Sequence, residues 1–328
     1  MMSKRLGVAA VFVLAALAQP ALAADKITFG TDWFAEGEHG GYYQALVDGI
    51  YAKHGLDVTI KPGGPQVNNP QLVVSGALDV ALLTANQEVH FAKDNIPLVG
   101  VAALYQKTPI ILMAHKSQGF KSLADLKGKP IMVYSQARQT FWPWLHAKYG
   151  FTDEQIRPYN FSLAPFLSDA SVIQQGYVTN EPFSAAAAGS DPQVFLFADD
   201  GYKDYAHVLS VKRDMIEQHR DVLQRFVDAT IEGWYGFLYG DPSKTFEAIQ
   251  KANPEIKLES LQHSRDALKE YGIVDSGDAK TLGIGAMTDE RWKAIFGAMV
   301  EDGLYGSDVD YKKGYDTSFV DKKVGMKQ

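Results

Sequence analysis

Lys26-Ile-Thr-Phe-Gly-Thr-Asp32, Gly40-Gly-Tyr-Tyr-Gln-Ala-Leu-Val-Asp-Gly-Ile-Tyr-Ala-Lys-His54 and Leu56-Asp-Val-Thr-Ile60 follow one another along the chain. They read as a strand ending in a loop, a helix closed by Gly55, and a strand of period two that stops at Pro62-Gly63-Gly64. Working outward, the spacing predicts a short helix over 70–75, a buried strand over 80–83, a helix over 87–94 and a strand over 99–105. Strands separated by helices are the signature of a mostly parallel sheet covered on both faces. A second cycle follows: a helix over 122–129, a strand over 130–134, a helix over 140–149, and strands over 158–163, 176–179 and 194–197. After a strand over 206–211 the pattern turns helical, with helices expected over 220–239, 242–252, 258–271 and 289–302. The chain thus reads as α/β with two lobes: lobe one over 24–115, lobe two over 116–205, and a return to lobe one over 206–328. The two connecting segments are expected near 114–119 and 202–207.

The 328 residues include 32 Lys+Arg against 39 Asp+Glu, a formal net charge of −7, and no cysteine. The acidic balance and the absence of a basic stripe argue against nucleic acid as a partner. Lacking cysteine, the chain has no disulfides, zinc ribbons or thiol nucleophile. No phosphate loop, G-x-S-x-G elbow, H-E-x-x-H pair or G-x-G-x-x-G after a strand occurs, so no catalytic residue and no cofactor is assigned. Lys4 and Arg5, the uncharged run over 6–17 and Ala21-Leu22-Ala23 read as a signal peptide over 1–23, cut before Ala24. The expectation is an exported protein, free in the periplasm of a Gram-negative source because no cysteine follows to take a lipid.

In open α/β sheets ligands bind where the carboxyl ends of strands meet helix N-termini. Asp32, Trp33, His39 and Tyr42 follow the first strand. Thr84 and Asn86 follow the third, and Tyr134, Gln139 and Trp142 follow the first strand of lobe two. Asn180 and Glu181 end a strand at a proline. Aromatic rings offer flat apolar walls, and a carboxylate such as Glu181 can accept two N–H bonds from an amine or amidine. These eleven residues are the candidate ligand-binding set. Asp32, Glu36, Glu38 and His39 could ligate a cation, but a polar loop capping a helix has the same composition, and no metal is assigned.

Asp32-Trp33 with His39-Gly40-Gly41-Tyr42-Tyr43, the run over 49–58, Gly76-Ala-Leu-Asp79, Asp125-Leu-Lys-Gly-Lys129 and Tyr177-Val-Thr-Asn-Glu-Pro182 together carry a resemblance. The chain resembles the solute-binding proteins of ABC importers in the superfamily named for the fungal pyrimidine synthases of thiamine biosynthesis. That superfamily also holds nitrate-, sulfonate- and taurine-binding relatives. His-Gly-x-Tyr with Asn-Glu-Pro resembles the branch that binds pyrimidine precursors of thiamine. The resemblance implies a type II periplasmic-binding-protein fold with a two-strand hinge, a small-molecule ligand gripped between lobes, and an inner-membrane permease with a separate ATPase as partner. It further implies a monomer that is not an enzyme, since the cysteine-rich run of the synthases is missing. A small planar nitrogen heterocycle is the expected ligand. A small oxyanion is the alternative, and a periplasmic enzyme acting on a heterocycle the different-class one.

Overall fold

The computed structural model describes residues 23–326, so the expected signal peptide lies almost wholly outside the described residues. Ten strands form two sheets: β1 (Asp25–Gly30), β2 (Leu56–Lys61), β3 (Val80–Leu83), β4 (Leu98–Tyr105), β5 (Ile110–His115), β6 (Ile131–Val133), β7 (Ile156–Pro158), β8 (Gln174–Tyr177), β9 (Pro192–Leu196) and β10 (Ala206–Lys212). The first sheet has the order β2-β1-β3-β10-β4 and the second β7-β6-β8-β5-β9. Burial explains the composition of each strand. β4, Leu98-Val-Gly-Val-Ala-Ala-Leu-Tyr105, is buried throughout, as a continuous apolar run covered on both faces should be. β2 sits at an edge and alternates, with Leu56 and Val58 inward and Asp57 and Thr59 outward.

Both sheets are mixed, but in a single pattern. β1, β2, β3 and β4 run one way while β10 runs antiparallel between β3 and β4. In the second sheet β5 runs antiparallel between β8 and β9. The two reversed strands are the ones the chain enters directly from the other lobe. No crossover helix precedes them, so nothing forces them parallel. Both start at the edge where their neighbours end: Ala206 faces Tyr105, and Ile110 faces Tyr177. Consequently the chain crosses between sheets at the same edge, over 106–109 and 197–205. The first crossing therefore comes earlier than the expected 114–119. The apolar run 110–115, placed in lobe one by the sequence, pairs as β5 inside the second sheet.

Two local expectations also change. The strand expected over 158–163 instead ends at its first residue, as β7 over Ile156–Pro158, and a short helix, Ala164–Ser168, comes after the loop that follows. The helix expected over 122–129 is a single 3-10 turn, Leu123–Leu126, tied by Asp125 Oδ2 accepting from the N–H groups of Lys121 and Ser122 at 2.7 and 2.9 Å. The long helix Arg220–Tyr239 forms as expected and packs across lobe one, its Trp234 and Phe237 buried. Helix Gly40–Val47 lies against it, and here glycine is required by space. A Cβ on Gly40 would sit 2.1 Å from the Phe237 ring, and one on Gly41 2.2 Å from Trp234. The Gly-Gly pair thus sets the helix spacing that holds His39. No helix among the described residues is long and apolar enough to cross a membrane.

Candidate functional site

The carboxyl edges of the two sheets face each other. From lobe one the loop after β1 presents Asp32, Trp33, Glu36, Glu38 and His39, and the start of β10 adds His207. Asp32 Oδ1 lies 2.9 Å from His39 Nε2, and Oδ2 lies 3.5 Å from His207 Nε2. Burial works to raise the Asp32 pKa, but the facing His207 and His39 outweigh it and hold the carboxyl well below its ordinary range. An ionised carboxylate only accepts, so each imidazole turns its Nε2–H toward it. The two rings lie parallel with centroids 5.5 Å apart, and Tyr105 stacks on His207 at 3.9 Å. Tyr105 is fixed in turn by its hydroxyl, which donates to the Glu38 carbonyl at 2.8 Å. His39 and His207 are buried, whereas Asp32 keeps 34% of its side chain open.

Lobe two answers with Tyr159, Phe161, Thr179, Asn180 and Glu181. Thr179 Oγ1 donates to Glu38 Oε1, and Asn180 Nδ2 donates to Glu36 Oε2 at 3.2 Å, so two carboxylates of lobe one are met by the loop after β8. Ser264 Oγ, on helix Leu258–Glu270, donates to the Thr179 carbonyl at 3.0 Å. Trp33 meets Phe161 across the lobes with centroids 4.7 Å apart. Phe161 is 42% exposed and holds a φ of 62°, a left-handed conformation uncommon outside glycine. Burial raises the Glu36 pKa well above its ordinary value, with the charges of Glu38, Glu181 and Asp32 adding to it. Burial likewise lifts Glu181 to about 7, against the opposing N–H of Tyr177 and with Glu38 adding to the rise.

The expected residues divide. Asp32, Trp33, His39, Asn180 and Glu181 come together at the facing edges. Glu181 also serves its own loop, Oε2 accepting from the Tyr177 N–H at 2.7 Å and Oε1 from the Tyr159 hydroxyl at 3.3 Å. Tyr134 is half-buried with its hydroxyl bonded to Thr140 Oγ1 at 2.8 Å. Thr84 is a helix cap, accepting from the Gln87 N–H at 3.3 Å. Asn86 is buried, its N–H donating to Asp204 at 3.3 Å. Gln139 is exposed at the end of a 3-10 turn. Two aromatics expected at the ligand are core residues instead. Tyr42 is fully buried against Phe29 and Trp234, because helix Gly40–Val47 turns that face toward the long helix. Trp142 is 2% exposed and packs edge-on to Phe151 in the lobe-two core, so the wall opposite Trp33 is Phe161. His207, Tyr105, Tyr159 and Phe161 were not singled out in the sequence. Glu36 and Glu38 were visible, but as a cap or a cation site.

This architecture is shared with known proteins. A model of the family described as NMT1/THI5 like matches residues 36–245. The chain is 25% identical to the riboflavin-binding protein RibY of Chloroflexus aurantiacus, over 92% of this chain and 88% of that protein. It is 23% identical to the formylaminopyrimidine-binding protein of Halalkalibacterium halodurans, over 80% of this chain and 81% of that one. Its fold matches the periplasmic aliphatic sulphonate binding protein SsuA of Escherichia coli with a TM-score of 0.64 at 14% identity, over 88% and 91% of the two chains. With the family match spanning more than half of the chain and reaching both lobes, the chain belongs to the NMT1/THI5-like family.

Proposed function

We propose that this protein is the solute-binding component of an importer and captures a flat nitrogen heterocycle rich in N–H donors between its lobes. One observation carries the reading. Four carboxyl groups, Asp32, Glu36, Glu38 and Glu181, converge on the facing edges, and among the described residues the groups bearing on them are histidine, tyrosine, threonine, asparagine and each other, with no lysine or arginine. Asp32, held ionised, repels sulfonate or nitrate, and the acceptor oxygens around it favour a donor-rich solute. Trp33 and Phe161 supply the apolar faces a ring needs. The names of the riboflavin- and formylaminopyrimidine-binding relatives agree with this choice over the oxyanion. The same kinship supports binding without turnover, a periplasmic location, and delivery to an inner-membrane permease powered by a separate ATPase.

The test is a thermal-shift and calorimetric panel of aminopyrimidines, riboflavin, alkanesulfonates, taurine and nitrate. A heterocycle at ~100 times its dissociation constant stabilises the folded state by ~2.7 kcal/mol, since only the folded state binds it. A response to sulfonate or nitrate with none to the heterocycles overturns the reading.

A further inference from the structure

Outside the donor-accepting glutamates, the same edge carries a second kind of chemistry. Asp32, His39 and His207 come from three separate segments of lobe one: the loop after β1, the 3-10 turn before helix Gly40–Val47, and the start of β10. Their donor atoms all lie within 4.8 Å of one another. Ligand atoms on one ion with bonds of about 2.0–2.2 Å stand roughly 3–3.5 Å apart, and the two carboxylate–imidazole spacings here, one to each oxygen of Asp32, are 2.9 and 3.5 Å. We propose that Asp32, His39 and His207 form a binding site for a divalent first-row transition ion, with its remaining coordination positions directed into the interlobe space.

Three features beyond proximity support this. The donor set, two imidazoles and one carboxylate, suits zinc, iron, nickel or copper and is poor for calcium or magnesium. The site is held rigidly: Tyr105 backs the His207 ring, and His207 sits at a φ of 47°, a strained backbone for a non-glycine residue. The far side of each ring is also free to take the hydrogen. Nδ1 of each ring is buried with no hydrogen-bond partner among the described residues. A neutral imidazole can therefore carry its hydrogen on Nδ1 and present the Nε2 lone pair to the ion, any further proton being released on binding. Asp32, the one partly exposed member, marks the side on which a further ligand atom, from water or from a bound solute, would enter. The inference does not depend on the heterocycle reading, because it concerns the metal alone.

The experiment uses the full mature chain without added histidines, stripped with chelator and titrated with zinc by calorimetry, and separately loaded with copper for electron paramagnetic resonance. The expected result is one zinc per chain with micromolar or tighter affinity, weakened at least 100-fold in Asp32→Asn and in His207→Gln. His54→Gln, at a His–Glu232 pair elsewhere on lobe one, leaves it unchanged. The copper spectrum of the unaltered protein shows coupling to two imidazole nitrogens, a readout that stands even if His207→Gln does not fold. Failure of the wild-type chain to retain one equivalent, a spectrum lacking two-nitrogen coupling, or full zinc affinity in a folded His207→Gln overturns the proposal and leaves the triad a hydrogen-bonded clamp.

Discussion

Glu88 offers a direct test of how this protein manages a buried charge. It lies on helix Ala85–Lys93, fully buried, and neither carboxylate oxygen has a hydrogen-bond partner among the described residues. Burial pushes its pKa from 4.5 to about 8, only partly offset by the nearby Ser210 hydroxyl. The folded state therefore keeps a proton that the unfolded chain gives up. Below pH 4.5 both states are neutral at this residue and nothing is lost. Between pH 4.5 and 8 stability falls by about 1.4 kcal/mol for each pH unit, and above pH 8 the loss levels off at roughly 4–5 kcal/mol. Glu88→Gln reproduces the neutral form at nearly constant size. In urea unfolding followed by the fluorescence of buried Trp234 and Trp292, the variant should match the wild type near pH 4.5. By pH 9 it should unfold at a midpoint higher by ~1.5 M, for a slope near 3 kcal/mol per molar. Wild-type and variant profiles that stay parallel from pH 4.5 to 9 would refute the reasoning, since Glu88 would then be as solvated when folded as when unfolded.

Further outcomes are expected at the cleft and behind it. Gly41→Ala drives a methyl into the Trp234 ring and should lower stability by roughly 1–3 kcal/mol, read as a fall in Tm. Phe161→Gly relieves the left-handed backbone but removes the ring facing Trp33, so the ligand-free Tm should barely move while heterocycle affinity drops by about tenfold. Glu181 titrates near 7, and its ionised form is the better acceptor. Affinity for a donor-rich heterocycle should therefore rise from pH 6 to 8 in the wild type and stay flat in Glu181→Gln, as measured by calorimetry at both pH values.

Much of the architecture was legible because it rests on short-range signals. Period-two alternation at 56–60, the closing Gly55, and the long amphipathic run 220–239 each report local burial, and the structure returns each of them. β5 was missed because Ile110-Ile-Leu-Met-Ala114 differs in no local respect from β4, from which only Gln106-Lys-Thr-Pro109 separates it. Which sheet it joins is decided by pairing partners far along the chain, Gln174–Tyr177 and Pro192–Leu196. The site divides for the same reason. Asp32 and His39 are neighbours in sequence and were found together, whereas His207 reaches them only through the insertion of β10. Tyr42 and Trp142 were misplaced because composition shows an aromatic without showing which way its helix faces. The Gly40-Gly41 pair held that information for Tyr42, since two glycines at a helix start point to another helix lying close against them.

The position of β10 has a consequence for how the molecule is made. The strand that joins β3 to β4 in the first sheet is synthesised only after the whole of the second sheet. Until residues 206–212 emerge, β3 and β4 each present a bare row of N–H and C=O groups toward the gap, an adhesive state for any nascent chain. The second sheet, drawn entirely from residues 110–196, can assemble as a unit in the meantime. The first-made part of this protein is thus the last to be completed, and a chain truncated before Ala206 would keep a folded lobe two attached to a lobe one that cannot close its own sheet.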